Sequence, residues 1–225
     1  MNRILQMLKL QQELNDATNG ENWEAGITKN GKLIDWRRCI YLEAAELVES
    51  YPWKHWKNIE ATPDYKNIQI EIVDIWHFVM SETLRLYKTE KRGSIPELAT
   101  VISTMPQFVN FSDENQGEQL GSYEQIEIVE KMIKVLFCDS DIKSLISSFL
   151  TMSSKLNLKL PELYKLYIGK NILNKFRQDH GYKEGSYIKI WSGQEDNVVM
   201  QNILDKKEDI TPEELYDALK ENYPQ

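Results

Sequence analysis

The chain has 225 residues, 41% of them hydrophobic and 28% charged, with a formal net charge of -8. That is enough apolar material to bury a core, and too acidic a balance to suit duplex nucleic acid, whose phosphates reward clustered Lys and Arg. The two cysteines, Cys39 and Cys138, do not make a disulfide scaffold, and no segment approaches the roughly 18 apolar residues of a membrane span.

The opening stretch MNRILQMLKLQQELND lacks the apolar run and cleavage site of a signal peptide, so the expectation is a cytoplasmic, soluble protein. Ile4, Leu5, Leu8 and Leu14 recur at helical spacing and predict a first helix over residues 2–18. Gly20, Gly26 and Gly31 break the chain. Asp35 is a good N-cap for a second helix ending near Ser50, and Pro52 closes it. Thr62-Pro63 predicts the start of a third helix running to Tyr87, with proline in the tolerated first turn. Gly93 to Pro96 separates it from a short fourth helix.

The polar stretch 107–123, QFVNFSDENQGEQLGSY, reads as a mobile loop. Helices resume over 124–138 and 141–156, and Pro161 opens another that stops before Gly181. The stretch HGYKEGSYIKIWSGQEDN is a long basic and aromatic loop. Thr211-Pro-Glu-Glu214 is a capping box for a last helix. No βαβ alternation or repeat occurs. The fold class is all-α, in one domain over 1–225 whose part from about 93 to 160 is expected to be mobile.

The acidic residues of the second and third helices stand out. On a helical wheel Glu43 falls inside the apolar arc of Trp36, Ile40 and Leu47, Glu46 on its edge and Glu49 away from it. The third helix is apolar nearly all round and should be buried, yet it carries Glu71 and Asp74 on either side of Phe78. Ionised carboxylates in such surroundings need a counter-charge or a metal. Residues three apart share a face, so Glu43-x-x-Glu46 and Glu71-x-x-Asp74 can converge if the two helices pack together. Oxygen-only ligands suit a hard divalent cation, most simply Mg²⁺, which activates water and neutralises phosphate. Salt bridges to Arg37, Arg38 or Lys54 compete with that reading, and E-x-x-E is also a common solvated pattern.

Further on, Lys170, Asn174 and Arg177 share one helical face, and Lys183, Tyr187 and Lys189 follow in the basic loop. Such donors can hold several phosphate oxygens. Trp53, Trp56 and Trp191 lie in loop contexts and can stack on a base or cover the core. His77, one turn after Asp74, reads first as a core residue.

Taken together, EAAE, EIVDIWHF, YPWKHWKN and GKNILNKFRQDHGYKEGSYIKIW resemble the dimeric, all-α dUTPases, a branch of the all-α nucleoside triphosphate pyrophosphohydrolases. The matching segments run from Leu10 to Asn197. The resemblance implies a homodimeric helical bundle that hydrolyses dUTP, and dUDP, to dUMP, limiting uracil in DNA. It implies Mg²⁺ on Glu43, Glu46, Glu71 and Asp74, with Glu46 deprotonating the attacking water. It assigns the base and sugar to Gln12, Asn15, His77 and Phe78, with Gln11 an equally available amide. Lys170, Arg177, Lys183, Tyr187 and Lys189 become phosphate contacts, with Asn174 near the sugar. Trp53, Lys54 and Trp56 would close the pocket, and His55 stands where some members carry an aromatic. The alternatives are a pyrophosphohydrolase for another pyrimidine nucleotide such as dCTP, and a non-catalytic helical interaction protein whose carboxylates make buried salt bridges.

Overall fold

Most helices of this chain begin where a side chain satisfies the open N–H groups of the first turn. In the computed structural model, which describes residues 2–57, 60–113, 119–139, 141–207 and 210–224, Asn2 accepts from the Ile4 N–H at 3.0 Å and opens α1 (Arg3–Asn19). Asp35 accepts from Arg38 at the start of α2 (Trp36–Glu49), and Asp64 from Asn67 at the start of α3 (Tyr65–Thr89). Asp64 thus sets the start of α3, and Pro63 lies outside the helix. Ser94 and Glu97 form a capping box for α4 (Ile95–Ser103), with Pro96 already inside its first turn.

The stretch expected as a loop over 107–123 is partly helical. It contains most of α5 (Pro106–Ser112) and the first residues of α6 (Ser122–Cys138). Its residues 114–118 lie outside the described residues. There follow α7 (Ile142–Lys155), capped by Asp141, and α8 (Leu160–Asp179). Within the basic loop, β1 (Ile190–Trp191) and β2 (Gln194–Glu195) form a small antiparallel hairpin, pairing Ile190 with Glu195 and Trp191 with Gln194. It leads directly into α9 (Asp196–Lys206), a helix that the sequence reading did not mark. The capping box of Thr211 and Glu214 then opens α10 (Pro212–Asn222). The fold is all-α, as the periodicity predicts.

The chain forms two compact units, Met1–Leu163 and Tyr164–Gln225. In the first, α3 is central and touches α1, α2 and α7. Its apolar residues Ile68, Ile72, Ile75, Trp76, Val79 and Met80 are all buried. Trp76 stacks on Phe149 of α7 with ring centroids 4.7 Å apart. Glu82, 3% exposed, is held by Arg85 at 2.7 Å and Arg37 at 3.4 Å. Arg37 also donates to the Leu136 carbonyl at 3.3 Å, so one buried charge ties α2, α3 and α6 together. In the second unit, α9 packs on α10 and on the hairpin. At Gly169 a Cβ would lie 2.8 Å from Leu204 Cδ1 and 3.0 Å from Met200 Sδ, so glycine permits the close approach of α8 to α9.

Candidate active site

The packing of α2 on α3 brings carboxylates together. Glu43, Glu46 and Glu71 each offer an oxygen, and these atoms lie within 4.8 Å of one another. The three differ in exposure. Glu71 is buried, Glu43 half-buried and Glu46 exposed, so the group runs from the core of the first unit to its surface. Three like charges at such range repel strongly wherever water is thin, and an added cation reverses the balance. An all-oxygen donor set of this kind fits a hard divalent ion. Asp74, one turn on and half-buried, falls outside the group of three.

The basic residues that compete for these carboxylates make other bonds. Arg37 pairs with Glu82, Arg38 with Asp35 at 3.1 Å, and Lys54 with Glu49. Lys54 also lies 5.5 Å from the ring centroid of Trp53, which meets Trp56 edge-on at 5.8 Å. Trp56 is 63% exposed.

A second cluster lies between α1 and α3. Gln11 donates through Nε2 to Asn15 Oδ1 and to Ser81 Oγ, both at 3.1 Å, and Asn15 Nδ2 donates to Ser81 Oγ at 3.0 Å. With its amide hydrogens so engaged, Gln11 turns Oε1 to His77 Nδ1 at 2.7 Å. That nitrogen therefore carries the proton, which fixes the tautomer of the ring. Gln11, Asn15, His77 and Ser81 are all at least 96% buried. Gln12 does not join them. It donates to Asp16 and Glu24, both at 3.0 Å, and lines a separate cavity of about 310 Å³ with Glu24 and Lys88. Burial would raise the Glu24 carboxyl, but its bonds from Lys88, its own backbone and Gln12 outweigh that and lower it. Phe78 stacks on Trp36 at 5.8 Å, and Trp23 meets Trp36 edge-on.

In the second unit the expected phosphate contacts gather around a residue that the sequence reading missed. Asp196 is fully buried. Arg177 grips it as a fork, Nε to Oδ2 and Nη2 to Oδ1, both at 2.8 Å, and Tyr187 donates its hydroxyl to Oδ2 at 2.8 Å. Arg177 also donates to Asn174 Oδ1 at 3.1 Å, and Lys170 to Asn197 Oδ1 at 3.0 Å. Burial acts to raise the Asp196 carboxyl, but Arg177, Tyr187 and Lys170 together hold it below its ordinary range. Burial and the neighbouring carboxylate push the Tyr187 phenol up. Lys183 is exposed, and Lys189 reaches Glu195 at 3.5 Å at the surface. Asp196 opens a helix that the sequence does not mark, and only the fold joins it to Arg177. Ser81 had a weak signal, one turn beyond His77.

The sequence model of the dUTPase family matches residues 3–182. The chain belongs to the dUTPase family. It is a hydrolase, and its family's reaction is the hydrolysis of dUTP. Among curated proteins, none matches the chain. The matched span of this dUTPase takes in the three carboxylates, the amide cluster, Lys170 and Arg177. It ends at Tyr182, so Lys183, Tyr187, Lys189 and Asp196 lie beyond it. Among the described residues, no helix is long and apolar enough to cross a membrane.

Proposed function

We propose that this dUTPase is a Mg²⁺-dependent diphosphatase that converts dUTP to dUMP and pyrophosphate and also accepts dUDP. The observation that carries this reading is the approach of Glu43, Glu46 and Glu71 at the junction of α2 and α3. These residues would hold Mg²⁺, with Asp74 as a further ligand. When bound, the ion acidifies a coordinated water and neutralises charge on the phosphate oxygens. Glu46, the exposed member, takes the proton of the attacking water. Glu71, the buried member, fixes the site to the core.

The amide cluster supports base recognition. Gln11 rather than Gln12 accompanies Asn15 and His77, and Ser81 pins both amides in one orientation. Uracil and cytosine exchange a donor for an acceptor on their Watson–Crick edge, so amides that cannot turn discriminate between them. Phe78 sits against Trp36 as an apolar wall, and Trp53, Lys54 and Trp56 cover the nucleotide. Arg177, Tyr187, Lys170 and Asn174 are ordered by Asp196 and Asn197, while Lys183 and Lys189 offer exposed ammonium groups to phosphate. The working form is a homodimer in the cytoplasm.

Hydrolysis of dUTP, dCTP and dTTP, read as pyrophosphate, and of dUDP, read as orthophosphate, each with and without Mg²⁺, tests the reading. Release from dUTP only with Mg²⁺ is the expected result. Equal release after chelation overturns the metal assignment, and a wide preference for dCTP overturns the base assignment.

A further inference from the structure

The basic loop of the second unit is held by a residue that follows α10. From Tyr182 to Ile190 every residue except Tyr187 is exposed. The Tyr187 ring stacks on Tyr223 with centroids 5.4 Å apart and planes 22° from parallel. The hydroxyl of Tyr223 accepts the backbone N–H of Ile188 at 3.0 Å. Tyr223 therefore grips both a side chain and the backbone of the loop.

It is itself well anchored. Its ring meets Trp191 edge-on at 5.4 Å and Phe176 at 5.4 Å, and lies 5.0 Å from His180. Upstream, Leu215 and Leu219 bury α10, and the Tyr216 hydroxyl donates to Asp179 at 2.7 Å. Other ties on the loop include the Tyr187 hydroxyl bond to Asp196, the Asp196 N–H bond to the Lys189 carbonyl at 3.0 Å, the Trp191 indole bond to the Ile188 carbonyl at 2.7 Å and the surface pair of Lys189 with Glu195.

We propose that Tyr223 is a positioning residue for the phosphate-binding loop. It sets where Lys183, Tyr187 and Lys189 stand, and so sets the affinity of the enzyme for the triphosphate chain. The inference rests on the reading above that this loop contacts phosphate. Tyr223 and the loop residues Lys183, Tyr187 and Lys189 lie outside the residues matched by the family, 3–182. As a positioning residue Tyr223 acts through the loop, so its loss should appear in KM and leave kcat nearly unchanged.

The test compares Tyr223→Ala, which removes ring and hydroxyl, with Tyr223→Phe, which keeps the stack. An aromatic pair of this kind corresponds to a change of about three- to tenfold. In Tyr223→Ala, KM for dUTP should rise by about that factor with kcat within about twofold. Trypsin cleavage after Lys183 and Lys189, read without nucleotide, should quicken by a similar factor. Tyr223→Phe should restore most of both. A wild-type KM in Tyr223→Ala overturns the proposal, whatever the cleavage rate. So does a fall in kcat at unchanged KM, the signature of lost folded protein. If Lys183→Ala and Lys189→Ala each keep the wild-type KM, the phosphate reading of the loop is overturned instead. The cleavage arm, which needs no substrate, tells that failure apart.

Discussion

Glu71 is the member of the carboxylate group with least access to water, so in the proposed metal site it would depend most on the cation. Glu46 is the opposite case, exposed at the surface end of the group. Glu46→Gln should lower turnover of dUTP by about 10²–10⁴-fold while the protein stays folded, measured as pyrophosphate release beside circular dichroism. Asp196 is a different test, of stability against pH. Its carboxyl is lowered in the folded state, so its contribution is present above the ordinary value of 3.8 and is lost as pH falls through the lower folded value. Asp196→Asn should therefore cost stability at about pH 7, and the gap from wild type should shrink by about pH 3, read as urea midpoints. Legibility differs between these residues for a physical reason. Glu43 and Glu71 announce themselves because a charge in an apolar arc is visible on a wheel. Asp196 does not, because its partner Arg177 is 19 positions away and only the tertiary fold joins them. Gln11 and Gln12 are adjacent amides, and choosing between them needs the rotation of α1 against Ser81.

At the scale of elements, the long helices were readable because periodicity and caps agreed. Asn2, Asp35, Asp141 and Thr211 each stand where a helix begins. α5 and α9 were not readable. The seven residues of α5 sit in a polar stretch, and its Phe111 is buried only by the fold. α9 follows a loop of basic and aromatic residues that masks its start, and short helices draw their stability from packing more than from propensity. α3 carries the heaviest packing. Trp76, fully buried against Phe149, joins α3 to α7. Trp76→Ala should cost about 3–5 kcal/mol in chemical unfolding, the range for emptying a large aromatic site. A loss below about 1 kcal/mol would show that the stack does not support the core.

For the whole molecule, ligand linkage gives a test that needs no turnover. Mg²⁺ at about 100 times its dissociation constant should stabilise the protein by about 2.7 kcal/mol, seen as a rise in melting temperature. Glu71→Gln should abolish most of that rise. The all-α class was legible from the start. The division between Leu163 and Tyr164 falls inside the continuous helix α8, two residues after Pro161. Of the six tryptophans, five precede that division and Trp191 alone follows it. Trp191 is buried, and its indole N–H donates to the Ile188 carbonyl at 2.7 Å, within the loop that Tyr223 grips. The second unit thus contains a single indole, at the base of its basic loop. Once the other indoles are silenced, its emission colour becomes a label-free optical gauge of loop order.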